Sequence, residues 1–338
     1  MSEKRSGCLT AVVIVAFLVS IILNVAFIAG RSSKIVRASM QPSAADAFTE
    51  EVVVPASGAD TGKRIAIIAL RGVISSAEPG QVTESALEDL LMELKQARED
   101  RSVGAILLRI DSPGGEVTAS DILYQQVLKA RAVKPVVVSM ESVAASGGYY
   151  VACAGSFVFA HETTITASIG VIMQSVNYQN LLGKVGVEVN TFKSGVFKDL
   201  LNGARELTEA EREYVQGLID QSYSRFVGIV AKERHLDEAS LRTGVADGRI
   251  VSGVDALKEK LIDDLGGFDE ALEKARELAG TPGAAAVRYS SPMAFGRLIR
   301  LLSEAPAKNT RVQLDLGGKV DSRLPSGRLY FMSSMLVP

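Results

Sequence analysis

AILLRIDSPGG, residues 105–115, joins a short apolar run directly to a turn that contains two glycines. Apolar runs of four to eight residues bounded by glycine are typical of strands that are buried on both faces of a sheet. The same arrangement recurs at residues 135–150, PVVVSMESVAASGGYY. The sequence therefore predicts a sheet, and three further runs rich in β-branched residues predict more of its strands: IAIIAL at 65–70, FVFA at 157–160 and VEVNTF at 187–192.

Segments with a helical period lie between these runs. In Thr83–Asp100 and Val117–Arg131, apolar residues recur three and four positions apart and charged residues occupy the other side. A longer helix is predicted at about Thr208–Arg234, where the first residue and a glutamate three positions later match a capping box. Helix-rich sequence continues to about Ala279. Because strands alternate with helices, we predict an α/β fold built from βαβ units.

The two ends of the chain differ from this central part. Residues 9–29 carry no charge and are long enough to span a bilayer core of about 30 Å, so we predict a transmembrane anchor after a short flank at 1–8. A cleaved signal peptide is the alternative, although its apolar core normally has only about 7 to 15 residues. Residues 30–63 have the composition of a stem, 64–281 form the predicted folded domain, and 282–338 form a tail that packs on the body or on a neighbouring subunit.

The composition argues against several classes of function. The chain has 37 basic and 39 acidic side chains, so it lacks the positive surplus that drives nucleic-acid binding. Two cysteines, Cys8 and Cys153, are too few for a disulfide framework or a CxxC metal site. Two histidines, His161 and His235, stand in no cluster with ligand spacing, so a catalytic zinc is not expected.

Two glycine-containing turns that follow predicted strands are the candidate site. They are Asp111–Gly115 and Ala144–Tyr150. In open α/β sheets such turns lie at the carboxyl ends of strands, where free backbone N–H groups can stabilise an oxyanion. Taken singly, each turn is better explained as a tight connection with glycine at positive φ. Ser146, between small residues at the start of a predicted helix, is the candidate nucleophile, although serine is also common there as a helix cap.

A nucleophilic serine needs a base, and the residues leave three candidates. His161 follows FVFA but has no evident carboxylate to orient it. A lysine can act as a base when burial lowers its pKa. The stretch TFKSGVFKD, residues 191–199, offers Lys193 and Lys198, and an apolar pair before Lys198 favours its desolvation. Spacing alone does not choose among the three.

Four motifs in order resemble the signal peptide peptidase A family, SppA, in its short single-repeat form. They are DSPGG at 111–115, MxSxAASGGYY at 140–150, TASIGVI at 166–172 and KSGVFKD at 193–199. The resemblance extends from the anchor to about Gly267. It implies a Ser-Lys peptidase with a ClpP/crotonase-like fold, whose protomers assemble into homo-oligomeric rings or domes.

Carried over position by position, the resemblance assigns five roles. It implies that Ser146 is the nucleophile, that Lys198 is the general base, and that Ser168 positions the lysine. Gly115 and Gly147 would supply the oxyanion N–H groups. No cofactor or metal is implied.

The resemblance further implies a membrane-anchored endopeptidase that cleaves signal peptide remnants and other hydrophobic peptides. It places the catalytic domain outside the cytoplasm, whereas two basic residues before residues 9–29 and three soon after point weakly to the opposite orientation. Two alternatives remain open: a crotonase-type acyl-CoA enzyme, which also binds an oxyanion with two amides, and a non-catalytic membrane scaffold of the same fold.

Overall fold

The structure is a computed structural model that describes residues 48–57, 62–76, 84–290 and 329–332. Within these ranges we number the helices and the strands in chain order. The strands are β1 Thr49–Val54, β2 Arg64–Arg71, β3 Val103–Ser112, β4 Gly114–Glu116, β5 Val136–Ala145, β6 Phe157–Ala160, β7 Ile165–Ala167, β8 Ile250–Ser252, β9 Asp264–Leu265, β10 Ala285–Ser290 and β11 Tyr330–Met332. The helices are α1 Glu84–Glu99, α2 Val117–Arg131, α3 Gly147–Ala152, α4 Gln179–Lys184, α5 Glu209–Arg234, α6 Glu238–Thr243, α7 Gly253–Lys258 and α8 Phe268–Ala279.

A large, mainly parallel sheet forms the centre of the described residues. Its strands lie in the order β1, β10, β2, β3, β5, β6 and β9, and β7 pairs with both β5 and β8. All neighbouring pairs are parallel except β1 with β10 and β7 with β8. Parallel neighbours need a crossover connection, which α1 supplies between β2 and β3 and α2 supplies between β3 and β5. The predicted α/β fold class is therefore confirmed.

The central strands are buried on both faces. In β3, Ile106 and Leu108 belong to one apolar cluster and Leu107 belongs to another, and all three are at most 1% exposed. Because successive side chains of a strand point to opposite faces, an unbroken apolar run fits a sheet that is covered on both sides. Helix α8 covers one face through Leu272 and Ala275, and helices α1, α2, α3 and α5 cover the other.

Most elements that the sequence predicts are present. The predicted strands at 65–70, 105–110, 135–140 and 157–160 correspond to β2, β3, β5 and β6, and the three predicted helices correspond to α1, α2 and α5. The capping box before α5 is also present. The N–H of Glu211 donates to Thr208 Oγ1 at 3.3 Å, and the N–H of Thr208 donates to the Glu211 carboxylate at 2.9 Å.

The prediction of a strand at 187–192 is wrong. These residues form neither a helix nor a strand, and all of them are exposed. They belong to residues 174–198, which we name the arm and in which every residue except Leu182 is exposed. The alternation of Val187 and Val189 is strand-like, but a strand needs a neighbour that supplies backbone hydrogen bonds. The arm pairs with no strand of the described residues.

The predicted flank at 1–8 and transmembrane anchor at 9–29 lie outside the described residues, as does most of the predicted stem. Of the helices that the structure does describe, none is long and apolar enough to cross a membrane. Two pieces of the predicted tail are described. One forms β10 in the large sheet, and residues 329–332 contain β11, which pairs with β4.

Candidate active site

The two glycine-containing turns meet at the carboxyl ends of β3 and β5. Ser112 at the end of β3 pairs with Ala144 of β5 across the parallel ladder. The Ser112 hydroxyl donates to the carbonyl of Gly72 at 2.6 Å and accepts from the N–H of Gly114 at 3.2 Å. On the other turn, a Cβ atom at Gly148 would lie 2.8 Å from Ser112 O. The side chain of Ser112 thus fixes the first turn, and a glycine lets the second approach it.

The amides that the resemblance assigns to an oxyanion hole lie close together. Gly114 has a φ of +103°, and a Cβ atom there would lie only 2.7 Å from the amide nitrogen of Gly147. A Cβ atom at Gly147 would lie 3.0 Å from the amide nitrogen of Gly115. Glycine is required here by both the backbone angle and the close approach of the chains. The result is a pair of neighbouring backbone N–H groups from two different turns.

Ser146 is held in a strained turn between β5 and α3. Its φ of 51° and ψ of −113° are unusual for a residue with a side chain, and such a conformation costs about 1–3 kcal/mol. Two backbone bonds hold it: the N–H of Ser146 donates to Ala167 O at 2.7 Å, and its carbonyl accepts from the N–H of Tyr150 at 2.8 Å. The side chain is 1% exposed, and its Oγ has no hydrogen-bond partner within the described residues. A buried, unpartnered hydroxyl suits a nucleophile that awaits its base.

Ser168 is positioned beside this turn by β7. The last residue of β7, Ala167, pairs with Ala145 and accepts the hydrogen bond from Ser146. Ala167 and Ser168 both have positive φ, at 61° and 53°, and the N–H of Ser168 donates to Arg249 O at 2.8 Å. Ser168 is 4% exposed. The structure therefore brings the predicted positioning serine next to the predicted nucleophile.

Lys198 is not brought to Ser146 within this chain. It is exposed and lies at the end of the arm. Ser146 Oγ has no hydrogen-bond partner among the described residues, so the predicted base does not contact the predicted nucleophile. Four of the five residues that the resemblance assigns therefore gather at one place, and the fifth lies on the arm.

Lys193 is engaged elsewhere. Its Nζ donates to Asp199 Oδ1 at 2.6 Å and to the carbonyl of Val196 at 3.1 Å. Arg205 binds the same carboxylate and also the Glu211 carboxylate, which it reaches at 2.5 Å. Hydrogen bonds from Arg205 and then from Lys193 hold the pKa of Asp199 well below its usual value. These charges fix the C-terminal end of the arm, and Lys193 belongs to that network.

His161 faces a different part of the surface. It lines a cavity of about 240 Å³ with Arg109 and Glu141, which form an ion pair. Its ring also packs at Gly267, the residue before α8, where a Cβ atom would lie 2.5 Å from the ring. Ser146 does not line this cavity. Among the residues that the structure describes, no group of three or more His, Cys, Asp or Glu side chains is arranged to hold a metal ion.

A second cavity, of about 390 Å³, opens beside Ser168. It runs between the segment after β7 and helix α5, and Asp220, Tyr223 and Asp247 contribute to its lining. The Tyr223 hydroxyl donates to the carbonyl of Ala246 at 2.7 Å, which fixes one wall. We name this cavity the Ser168 groove. Of the five residues that the resemblance assigns, Ser168 contributes to its lining.

No sequence pattern assigned a role to three aromatic residues that lie beside the site. Tyr150 stacks on Phe331 with ring centroids 4.8 Å apart, and Phe226 of α5 contacts both rings at 5.0 and 4.8 Å. The Tyr150 hydroxyl donates to Asp121 at 2.6 Å, and burial raises its pKa well above the usual value. The apolar-aromatic sequence around Phe331 was a usable signal, but its partners come from distant parts of the chain.

Comparison with known proteins places these features in a family. Residues 129–281 match the model of peptidase family S49. A protein of Enterococcus faecium named "Putative signal peptide peptidase SppA" is 33% identical over 68% of this chain and 68% of its own length. A "Putative protease" of Methanocaldococcus jannaschii is 40% identical over 58% of this chain and 63% of its own. The "Serine protease SPPA, chloroplastic" of Arabidopsis thaliana is 36% identical over 66% of this chain but only 34% of its own length.

The family match and the protease names of the relatives define the class of the protein as a serine peptidase, and the buried Ser146 beside paired glycine amides fits that class. Within that class, the chain belongs to peptidase family S49. The resemblance to the SppA family that the four sequence motifs carry is thereby confirmed.

Proposed function

We propose that this protein hydrolyses peptide bonds with Ser146 as nucleophile and Lys198 as general base. The observation that carries the proposal is the unpartnered Ser146 hydroxyl, buried in a strained turn beside the amides of Gly115 and Gly147. Peptide hydrolysis by a serine requires an activated hydroxyl and donors for the developing oxyanion. Both the hydroxyl and the donors are present, and the lysine supplies the base.

The reaction then follows from these groups. The neutral amine of Lys198 takes the proton of Ser146 Oγ as this oxygen attacks the carbonyl carbon, and the amides of Gly115 and Gly147 bind the oxyanion. Lys198 next protonates the leaving amine, the C–N bond breaks, and an acyl-enzyme remains on Ser146. Water that the same amine deprotonates then attacks the ester, and Lys198 returns this proton to Ser146 Oγ as the acid product leaves.

We propose that Lys198 acts on Ser146 of a second copy of this chain. A lysine is neutral near pH 7 only when it is removed from water, and Lys198 is exposed within its own chain. The arm that carries it also exposes large apolar side chains, which a partner would cover: Val176 at 67%, Leu181 at 62%, Val185 at 65%, Phe192 at 97% and Val196 at 68%.

The Ser168 groove is the place where this second copy would dock. It begins at the serine that the resemblance assigns to positioning the lysine, and the apolar side chains of Val171, Ile172 and Ile219 contribute to its lining. These side chains are complementary to the large apolar side chains that the arm exposes. An arm that docks into the groove of the next copy forms a head-to-tail contact, and such contacts form a ring when the rotation between copies closes. This supports the homo-oligomeric ring that the resemblance implies.

We further propose that the substrates are hydrophobic peptides, including the remnants of cleaved signal peptides, and that residues 9–29 anchor the enzyme with its catalytic domain outside the cytoplasm. The printed name of the Enterococcus relative supports the substrate class. The uncharged 9–29 sequence supports the anchor.

The experiment that tests the dyad is hydrolysis of a fluorogenic peptide library by the full chain in detergent, beside Ser146→Ala and Lys198→Ala. Each variant is expected to lose at least about a thousandfold in rate, because the removal of one member disables the unit. Lys184→Ala is the matched control, since it removes another exposed lysine of the same arm and should keep full activity. Retained cleavage in Lys198→Ala would move the base elsewhere.

Co-expression of the two inactive variants tests the contribution of the second copy. If the serine and the lysine of one site come from different chains, a random mixture of the two variants restores intact pairs at about a quarter of its sites. Activity should therefore return in the co-expressed sample. If both residues came from one chain, the mixture would stay inactive, which would sink this part of the proposal.

A further inference from the structure

Lys198 stands between two residues that are both bound to other side chains. Phe197, before it, stacks on Tyr214 of α5 with ring centroids 5.2 Å apart and the ring planes at 30°. Asp199, after it, is bound by Arg205, whose Nε and Nη2 donate to the two carboxylate oxygens at 2.8 Å each. The lysine side chain is a flexible four-carbon stem, so the reach of its amine depends on where the backbone holds the stem. The two contacts fix that backbone on both sides of Lys198.

Arg205 connects Asp199 to the first turn of α5. Its Nη2 also donates to the carbonyl of Asp199 at 3.1 Å and to Glu211 Oε1 at 2.5 Å. Its Nη1 donates to Glu211 Oε2 at 2.8 Å and to the carbonyl of Glu206 at 2.9 Å. Glu211 belongs to α5 and is 1% exposed. A planar guanidinium can bind two carboxylates at once in this way, whereas the compact ammonium of a lysine cannot reproduce the fork.

The same residues close the base of the arm. Near its start, the N–H of Tyr178 donates to the carbonyl of Gly203 at 2.8 Å. From its interior, Lys193 Nζ donates to the Asp199 carboxylate at 2.6 Å. The start, the interior and the end of the arm therefore converge on residues 199–205, and Arg205 ties this point to the body.

We propose that Asp199, Arg205 and Glu211 form a clamp that positions Lys198 for catalysis. This inference rests on the proposed function and adds positioning residues to it. The clamp holds the backbone at Lys198, so that the amine at the end of the stem reaches the Ser146 hydroxyl. It also gives Lys193 a role, because this lysine braces the carboxylate that the clamp uses.

Steady-state kinetics of the full chain in detergent test the clamp. Arg205→Ala should lower kcat about a hundredfold and leave KM nearly unchanged, because a shift of about 1 Å in a catalytic group is sufficient for such a loss. Arg205→Lys should lose nearly as much, since an ammonium cannot bridge both carboxylates. Arg212→Ala is the matched control, because it removes an exposed arginine of α5 that lies outside the clamp. A folded Arg205→Ala protein with the kcat of this control would overturn the proposal.

The pH profile separates positioning from a loss of folded protein. Only the neutral amine acts as base, and a displaced lysine stays in water with a pKa of about 10.4. The rising limb of kcat/KM should therefore move by at least about one pH unit to higher pH in Arg205→Ala and stay in place in Arg212→Ala. Hydrogen bonds, first from Arg205 and then from the Thr208 N–H, lower the pKa of Glu211 to about 2, so this carboxylate does not titrate in that range. A rate reduced equally at every pH would sink the positioning role.

Amide hydrogen exchange tests the clamp without catalysis, in chains that also carry Ser146→Ala. The N–H of Lys198 donates to Gly195 O, and the N–H of Asn202 donates to Asp199 O, each at 3.1 Å. Arg205→Ala should speed exchange at residues 197–202 by about tenfold or more, because the clamp no longer closes this segment. Arg212→Ala should not. Equal exchange in the two variants would show that Arg205 does not hold the segment.

Lys198→Ala, measured in parallel, separates the failure of this inference from the failure of the proposed function. If Lys198→Ala loses activity while Arg205→Ala keeps it, the dyad stands and the clamp is wrong. If Lys198→Ala stays active, the dyad itself fails, and the clamp then has no base to position even where the exchange result is as expected.

Discussion

Residues at the candidate site adopt conformations that the rest of the fold has to stabilise. Ser146, Ala167 and Ser168 all have positive φ although each carries a side chain. Such conformations cost about 1–3 kcal/mol each and persist only where the surroundings fix them. Here the bonds from Ser146 N to Ala167 O and from Ser168 N to Arg249 O hold the two strained segments against each other. Ser146 stands at the N-cap position of α3, but in this strained conformation its hydroxyl makes no capping hydrogen bond.

Gly114→Ala should reduce kcat/KM about a hundredfold or more, the scale expected when oxyanion donors are displaced. A methyl group at a φ of +103° would lie 2.7 Å from the Gly147 amide nitrogen, so one of the two turns must move. Gly228→Ala in α5 is the control, because the added carbon there meets no atom within 4 Å outside its own helix. A fully active and normally folded Gly114→Ala protein would contradict the placement of the oxyanion amides.

At the scale of elements, helix α1 carries a glutamate, Glu93, whose ionised form the fold destabilises. Glu93 lies on α1 one turn after Asp89, and burial, followed by the repulsion from Asp89, raises the pKa of Glu93 to about 7. An unfolded glutamate has a pKa near 4.5, so the native state holds the proton more tightly than the unfolded chain. The stability from this group is therefore complete below pH 4.5, falls as the pH rises towards 7, and is absent above it.

Glu93→Gln should raise the free energy of unfolding at pH 8 by about 1–2 kcal/mol, after allowance for solvent screening. The gain should vanish at pH 4, where the native glutamate is already protonated. Glu88→Gln, an exposed position on the same helix, should change little at either pH. Thermal unfolding at the two pH values measures both variants, and a gain at pH 4 equal to that at pH 8 would exclude the charge as its cause.

At the scale of the whole molecule, the described chain is an α/β body that carries an exposed arm. Every residue of 174–198 but one is exposed, whereas most residues of β2, β3 and β5 are buried. An exposed apolar segment of this length marks a surface that associates. Because the same segment ends at Lys198, catalysis requires assembly in the proposed mechanism.

Phe192→Glu should therefore abolish peptide hydrolysis and lower the oligomeric state together. The ring of Phe192 is 97% exposed in the single chain, so the change does not disturb folding of the body. Val133→Glu is the control, since Val133 is also exposed, at 63%, but lies away from the arm. Analytical ultracentrifugation in detergent measures the state. An active Phe192→Glu protein with an unchanged sedimentation coefficient would contradict the role of the arm.

Local sequence determined the features that depend on local chemistry. The unbroken apolar runs of β2, β3 and β5 specify buried parallel strands, and Thr208 with Glu211 specifies the start of α5. The ordered motifs around Ser146, Ser168 and Gly115 carried the family and pointed to residues that the fold then gathers. These results are available from sequence because side-chain periodicity and motif spacing are properties of neighbouring residues.

Only the tertiary structure determined which residues that are distant in sequence lie beside each other. VEVNTF alternates as a strand does, but strand formation depends on a partner that the body does not provide, so the residues remain in the exposed arm. No pattern near Lys198 reveals that it stays apart from Ser146, and no pattern near Phe331 reveals that it pairs with Gly115. Hydrogen-bond pairing and packing between residues hundreds of positions apart are set by the assembled sheet, and a linear sequence does not display them.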